Sequence, residues 1–238
     1  MPLIQNPVKR LPVKSSHEFV TIKVVPLTPY LVDVWMYQAQ PAINENYCTS
    51  IENPNGRIRA DIGWDWYKIL NYAYLHDLAF TGQQHRGTLK LCVVVVPDTP
   101  DVTPYDYFPV GMLTLVPKFR CNAPSRADRA FTWYLSNAPK ETYERFLDGV
   151  RIEGVAKMLL DCVVQAAYDI GASGEMLLRA ATEGGKHLKK FYGECRLSHL
   201  KESNGRVTFF RRKVPQEYFL LNKTNARFLA RCNDPFRA

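Results

Sequence analysis

Between residues 155 and 169 the chain distributes apolar and polar residues with the period of a helix. Polar residues recur at every fourth position, and nearly everything between them is apolar. These polar positions are Lys157, Asp161, Gln165 and Asp169. Residues four apart share one face of an α-helix, so the pattern predicts a helix that is buried on most sides and keeps one narrow polar stripe. Gly154 marks its start and Gly171 its end.

The predicted start of this helix suits an anion. The first backbone N–H groups of a helix have no partner within the helix, and they carry the positive end of its dipole. Gly154 leaves these groups open, while Arg151 and Lys157 add positive charge beside them. A diphosphate is the anion that best fits such a site.

The rest of the chain reads as strands and helices in sequence. Stretches rich in β-branched and apolar residues predict strands at residues 19–25, 88–96, 110–116, 130–136, 174–181 and 207–210. Capping residues and helical spacing predict helices at residues 28–40, 61–80, 140–149 and 186–192. A basic loop is expected at residues 118–129. This order predicts an α/β fold with a mixed sheet.

Composition supports one domain. The chain has 238 residues and a hydrophobic content of 46%, enough for a sizeable core. We divide it into an N-terminal arm (residues 1–17), a core (17–210) and a basic C-terminal extension (211–238). The six cysteines form no C-x-x-C pair, and the five histidines lack metal-ligand spacing, so we expect reduced thiols and no metal site. Without a signal peptide or a membrane-spanning apolar run, we expect a cytoplasmic protein that does not enter a membrane.

The positive charge is concentrated near the C-terminus. Residues 201–238 carry nine Lys or Arg residues against three acidic ones. One interpretation is a solvated basic face, and the other is contact with a polyanion such as tRNA, on whose bases the interleaved Phe and Tyr residues could stack. Nucleic acid therefore stays open as a partner.

Three features together resemble the GNAT superfamily of N-acetyltransferases. Arg151-x-x-Gly154-x-Ala156 resembles the R/Q-x-x-G-x-G/A signature of the loop that holds the diphosphate of acetyl-CoA. The hairpin ending at residues 109–113 and the pair Phe191-Tyr192 resemble further parts of the family pattern. The resemblance covers roughly residues 17–210 and implies a GNAT fold, in which a mixed central sheet has one splayed pair of strands and helices on both faces. Residues 140–149 would then be an insertion ahead of the diphosphate loop.

The resemblance also implies a chemistry, namely acetyl transfer from acetyl-CoA, as cosubstrate, to a primary amine. Backbone groups of three residues at the end of the fourth core strand would hold the pantetheine arm and polarise the thioester, namely Leu135, Ser136 and Asn137. The diphosphate would be held by Arg151, Gly154, Val155, Ala156 and Lys157. Tyr192 would protonate the departing thiolate. For a general base the chain offers Glu153, Glu183, His76 and Asp128, and we assign the role to none of them.

The acceptor stays open at this point. A small-molecule amine, a protein lysine or N-terminus, and an aminoacyl-tRNA all fit the implied chemistry, and the chain could work as a monomer or a homodimer. The residues after Tyr192 depart from the family ending, so a GNAT-fold binding or regulatory protein without catalysis is the alternative.

Overall fold

One mixed sheet of eight strands organises the part of the chain that the computed structural model describes, residues 4–48, 58–181, 184–200 and 217–238. The strands are β1 (Arg10–Pro12), β2 (Phe19–Pro26), β3 (Leu89–Val95), β4 (Phe108–Cys121), β5 (Ala127–Asn137), β6 (Met176–Ala180), β7 (Ser198–Leu200) and β8 (Glu217–Leu221). Their order in the sheet is β1-β2-β3-β4-β5-β6-β8-β7. Strands β5 and β6 are parallel, and every other neighbouring pair is antiparallel.

Helices form where the sequence supplies caps and apolar faces. They are α1 (Pro29–Gln38), α2 (Gln40–Asn46), α3 (Trp66–Ala79), α4 (Lys140–Phe146), α5 (Val155–Asp169), α6 (Gly185–Glu194) and α7 (Lys223–Asn233). The Thr28 side chain accepts a hydrogen bond from the backbone N–H of Leu31 and caps α1. Asp65 caps α3 in the same way by accepting from Lys68. Helix α3 therefore begins later than residue 61, and Trp64 stays outside it.

Strands β5 and β6 separate after three residue pairs. The pairs run from Ala130 with Met176 to Thr132 with Leu178, whereas β5 continues to Asn137. The last five residues of β5 therefore have a partner strand on the β4 side and none on the β6 side. This is the splayed pair of strands that the sequence resemblance implies.

Helix α5 packs on one face of the sheet because Gly111 of β4 leaves room for it. A Cβ atom on Gly111 would lie 3.0 Å from Cγ1 of Val155 and 3.1 Å from Cδ1 of Leu159. The next pair of the β4–β5 ladder is Met112 with Ser136. Because side chains alternate along a strand, these two point to the opposite face.

The segment before α3 covers that opposite face at the end of β5. The Ser136 hydroxyl donates a hydrogen bond to Asp61, and the Trp64 ring meets the Tyr134 ring edge-on at 5.1 Å. The start of α6 lies beside this segment, since a Cβ atom on Gly184 would be 3.2 Å from Ala60 Cβ. Helix α5 and the 60–64 segment thus enclose the end of β5 from both sides.

The α/β class, the mixed sheet with helices on both faces and most element positions agree with the sequence predictions. The predicted bounds of the loop at residues 118–129 are wrong at both ends, because β4 continues to Cys121 and β5 begins at Ala127. Residues 201–216, which include the predicted strand 207–210, lie outside the described residues. In the described ranges, no helix has the length and apolar character needed to cross a membrane.

The C-terminal boundary also differs from the prediction. Strand β8 pairs with both β6 and β7, and α7 packs on α5, so residues 217–238 belong to the folded domain rather than to an extension. This packing buries part of the predicted polar stripe of α5. Asp161 is 1% exposed and Gln165 is 8% exposed. Arg237 reaches Asp161 from the C-terminal segment and provides its ion-pair partner.

Candidate active site

A cavity of about 450 Å³ opens where β5 and β6 separate. Strand β5 lines it with Trp133, Leu135 and Asn137, and Leu178 of β6 lies on the other side. Trp133 is the extra residue of a β-bulge, because Thr114 and Leu115 of β4 pair with residues 134 and 132 of β5. The bulge and the splay together place the end of β5 along the wall of a cleft.

Two backbone positions of β5 face this cleft. The backbone N–H of Ala138, the residue after β5, donates to the carbonyl of Val110 in β4, so Ala138 and Val110 form a hydrogen-bonded pair of the ladder. Because bonded and non-bonded pairs alternate in an antiparallel ladder, Leu135 and Asn137 direct their N–H and C=O groups away from β4. Ser136 directs its backbone groups toward β4. Of the three residues predicted to hold the pantetheine arm, two therefore present backbone groups to the cleft.

Ser136 contributes its side chain to a network in the cleft wall instead. The Ser136 hydroxyl donates to Asp61, a buried carboxylate that also accepts from Arg59 Nε at 2.8 Å and Nη2 at 2.6 Å. Arg59 Nη2 also donates to the Asn137 carbonyl at 2.7 Å. The guanidinium thus satisfies one of the backbone groups that the splay leaves without a strand partner. Both Arg59 and Asp61 line the cavity, and no sequence pattern predicted them, because they lie 75 or more residues before their partners Ser136 and Asn137 in the chain.

The start of α5 lies at another wall of the cavity. Gly154 adopts φ +83° and ψ −3°, a left-handed conformation that side chains other than glycine's rarely take. The helix begins with the bond from Met158 N–H to the Gly154 carbonyl, which leaves the N–H groups of residues 155–157 without a partner inside the helix. Ala156 lines the cavity. Val155 is buried, and Lys157 has an exposed side chain outside the cavity lining.

The N-terminal arm holds the loop that leads into α5. Lys14 N–H donates to the Arg151 carbonyl at 2.7 Å, and Glu153 N–H donates to the Pro12 carbonyl at 2.9 Å. Val13 forms a β-bridge with Ile152 between these two bonds. The arm is therefore part of the site, and it brings Lys14 to the cavity. The sequence offered no signal for this, because pairing between residues so far apart is decided by tertiary structure.

Arg151 lines the cavity while it forms an ion pair with Glu144 of α4. The two side chains are 42% and 44% exposed. An exposed pair of this kind contributes little to stability and is readily exchanged for another anion. Arg151 is therefore not committed to a buried ion pair.

Tyr192 of α6 lies on the cavity wall and is 5% exposed. Its ring packs against Phe191 at 5.7 Å and Phe219 at 5.1 Å between ring centroids. Burial is the main cause that raises the pKa of the Tyr192 hydroxyl, and Cys195 and Asp61 raise it further. The phenol stays protonated at neutral pH, as a proton donor must.

Comparison with solved structures identifies the fold. No protein-family model matches the sequence, and no curated protein matches it. Among solved structures, apo FdhC, described as a nucleotide-linked sugar GNAT, aligns over 96% of this chain and 98% of its own, with a TM-score of 0.51 and 11% identity. The chain has the GNAT fold. The spermidine N-acetyltransferase of Vibrio cholerae, solved with CoA and spermine, aligns over 87% of this chain and 98% of its own, with a TM-score of 0.46 and 12% identity.

In this GNAT fold five of the nine predicted site residues line one cavity. Leu135, Asn137, Arg151, Ala156 and Tyr192 line it. Gly154, Val155 and Lys157 shape the helix start next to Ala156, and Ser136 acts through its contact with Asp61. The assignment of each to a ligand stays a prediction.

The four residues considered for the general base have different surroundings in the GNAT fold. Glu153 is exposed at the cavity. His76 stacks on Phe80 and meets Trp133 edge-on, and burial lowers its pKa, so it is neutral. Asp128 pairs with Arg86 and Arg120 near the other end of β5, outside the cavity lining. Glu183 lies outside the described residues.

Side chains of the described residues form no group of three or more His, Cys, Asp or Glu that could hold a metal ion. The Asp61 carboxylate at the cavity is engaged by Arg59 and Ser136. The residues around the cavity thus offer backbone donors, cations, a neutral phenol and aromatic walls. This set suits the binding of an anionic ligand.

Proposed function

We propose that this protein transfers an acetyl group from acetyl-CoA to a primary amine by direct attack of the amine on the thioester. One observation carries the proposal: a single cavity connects the open start of α5, the cleft-facing backbone of β5 and the hydroxyl-bearing side chain of Tyr192. Each of the three suits a different part of the same substrate. The GNAT fold supports this reading.

The diphosphate fits the start of α5. The unpartnered N–H groups of residues 155–157 carry the positive end of the helix dipole, and Ala156 is small enough for the backbone to be approached. Arg151 and Lys14 line the same part of the cavity and supply charge-assisted hydrogen bonds. The pantetheine arm would then run along β5, where Leu135 and Asn137 offer backbone N–H groups.

The chemistry needs few protein groups. As the amine attacks, negative charge develops on the thioester oxygen, and backbone N–H groups of the splayed end of β5 stabilise it. The carbon–sulfur bond then breaks, and the Tyr192 hydroxyl donates its proton to the departing sulfur. The new amide nitrogen releases the proton that it brought as an amine, and this proton restores the Tyr192 hydroxyl. No covalent intermediate with the protein is required.

Calorimetric titration of acetyl-CoA is the first test, and we expect saturable binding at micromolar concentrations. Absence of binding at millimolar ligand would overturn the proposal. Release of free thiol in the presence of an amine panel is the second test. Tight binding without thiol release across the panel would favour a GNAT-fold binding or regulatory protein over an enzyme.

The acceptor panel should span three classes: small-molecule amines, peptides with a free lysine or N-terminus, and aminoacyl-tRNA. The described C-terminal residues include Lys223, Arg227 and Arg231 of α7, which belong to the basic region. If tRNA binds there, its affinity will fall steeply as salt is raised, because counterions are released from the phosphates. An interaction that is absent or insensitive to salt removes tRNA from the panel.

A cytoplasmic location is part of the same proposal. All six cysteines are free, and Cys92, Cys121, Cys162 and Cys195 are buried. Free thiols persist in a reducing compartment. Fractionation of cells with an antibody to the protein would test this.

A further inference from the structure

Tyr143 of α4 has a hydroxyl without a partner at the cavity. The side chain is 4% exposed, and its oxygen makes no hydrogen bond to any described residue. Tyr143 lines the cavity. Buried hydroxyls are normally hydrogen-bonded, and one left unpartnered destabilises the ligand-free protein. A partner supplied by a ligand would remove this cost.

The surroundings of Tyr143 connect it to the end of β5. Burial raises the pKa of the Tyr143 phenol, and the charge of Arg59, which also lines the cavity, lowers it by a smaller amount. Arg59 in turn contacts the Asn137 carbonyl at the end of β5. Tyr143 therefore sits close to the point where the cleft-facing backbone of β5 ends.

Helix α4 bridges the two halves of the proposed acetyl-CoA site. It begins three residues after Asn137, and the Gly149 N–H donates to the Tyr143 carbonyl at 3.1 Å just before the chain reaches Arg151. A ligand with its diphosphate at the start of α5 and its thioester beside β5 must cross the stretch between Arg151 and Asn137. The pantetheine arm, with its two amide groups, is the part of acetyl-CoA that spans it.

The local charge favours a neutral group at this position. Arg59, the cation whose charge acts on the Tyr143 phenol, is paired through two nitrogens with Asp61 and is already neutralised. A phosphate would need net positive charge, whereas an amide carbonyl needs only a hydrogen-bond donor. The neutral phenol is such a donor.

We propose that Tyr143 is a further binding residue, whose hydroxyl donates a hydrogen bond to an amide carbonyl of the pantetheine arm. The inference rests on the proposed function, because it needs acetyl-CoA to occupy this cavity. It gives α4, the insertion ahead of the diphosphate loop, a role in binding the donor.

The test compares Tyr143→Phe with Tyr168→Phe. Tyr168 of α5 also has a buried hydroxyl without a partner among the described residues, but it is not part of the cavity lining. Three ligands are titrated by calorimetry into the wild type and both variants: CoA, pantetheine, and adenosine 3′,5′-bisphosphate. Tyr143→Phe should weaken CoA and pantetheine about three- to tenfold and leave the bisphosphate unchanged. Tyr168→Phe should change none of the three affinities.

Thermal unfolding without ligand supplies a second readout. Because each variant removes a buried hydroxyl that has no partner, both should melt at the wild-type temperature or about 2–4 °C above it. Tyr143→Phe would then be at least as stable as the wild type and yet bind CoA more weakly. A residue with only a structural role would not give this combination.

The outcomes separate the two proposals. If the wild type binds CoA and Tyr143→Phe binds it equally well, the role of Tyr143 is overturned while the proposed function stands. Equal weakening of CoA and of the bisphosphate would show general damage to the site and would also overturn it. If the wild type binds no CoA, the proposed function fails and this inference fails with it.

Discussion

Arg237 Nη2 lies 2.6 Å from Asp161 Oδ1 and 2.7 Å from Oδ2, in a pair whose side chains are 6% and 1% exposed. Arg237 also donates to the backbone carbonyl of Asn6. The pair thus ties residues near both ends of the chain to the helix that carries the proposed diphosphate site.

Arg237→Ala should lower the free energy of unfolding by about 3–5 kcal/mol, because it leaves the Asp161 carboxylate buried without its cation. Urea denaturation measures the change. Arg231→Ala is the matched control, since Arg231 is exposed on α7 and its loss should change stability by less than about 0.5 kcal/mol. Equal effects of the two variants would contradict the role of the pair.

The same pair predicts a dependence of stability on pH. Burial, which outweighs the contacts with Arg237 and Gln165, raises the pKa of Asp161 from 3.8 to about 6. Between these two values the folded protein binds more protons at this site than the unfolded chain does. The contribution of Asp161 to the free energy of unfolding therefore falls as pH rises from about 4 to about 6 and is constant above that.

Asp161→Asn should remove this contribution. Denaturation of the wild type and the variant at several pH values between 4 and 7.5 gives the difference in their unfolding free energies. We expect the advantage of the wild type to grow as pH is lowered through this window. A difference that is independent of pH would show that Asp161 does not titrate there.

Gly111 of β4 sets the distance between α5 and the sheet. In Gly111→Ala the new Cβ atom would press on Val155 and Leu159. Helix α5 begins at Val155. We expect a loss of about 1–3 kcal/mol in unfolding free energy and weaker binding of acetyl-CoA, since the helix start must shift. Gly193→Ala is the control, because that position in α6 has open space and alanine favours a helix. Unchanged affinity in Gly111→Ala would separate the packing of α5 from ligand binding.

Arg151 forms an exposed ion pair with Glu144, which the ligand would have to displace under the proposed function. Glu144→Gln should raise the affinity for acetyl-CoA about two- to fivefold at low salt, because Arg151 no longer has to leave an ion pair. Arg151→Ala should lower it about tenfold or more, through loss of a charge-assisted hydrogen bond. Calorimetry at two salt concentrations measures both. Glu194→Gln is the control, because it breaks the exposed pair with Lys190 and should leave the affinity for acetyl-CoA unchanged. The decisive result is that Glu144→Gln raises the affinity while Arg151→Ala lowers it.

Tyr192→Phe tests the proposed acid. The maximal rate should fall by about 100-fold or more, while the affinity for acetyl-CoA stays within about twofold, because the ring that packs on Phe219 is kept. Since burial raises the pKa of the hydroxyl, the wild-type rate should not fall between pH 7 and 9 through ionisation of Tyr192. An unchanged rate in the variant would remove Tyr192 as the acid.

Local patterns predicted a large part of this structure. The period of residues 155–169, the caps at Thr28 and Gly154 and the apolar strands depend on neighbours in the chain, so they can be read without knowing the fold. For the same reason the residues of the proposed diphosphate loop could be predicted from their own short motif. Arg151 and Ala156 of this motif line one cavity together with Tyr192, in agreement with the resemblance that suggested them.

The errors came from contacts between distant segments. Asp161 was expected in a polar stripe, yet Arg237 lies 76 residues further along the chain and covers it. Strand β8 was assigned to an extension, although its partner β6 is about 40 residues earlier. Ser136 was expected to bind through its backbone, but the ladder with Met112 takes those groups.

The sequence by itself determined the helix α5, its open start at Gly154 and the alternation of elements, since these follow from spacing and backbone preference. Only the tertiary structure decided which groups complete the site. Lys14 arrives through pairing of the N-terminal arm, Arg59 and Asp61 through the segment before α3, and Tyr143 through α4. No local pattern records these meetings, because the free energy that fixes them comes from packing elements that are far apart in the chain.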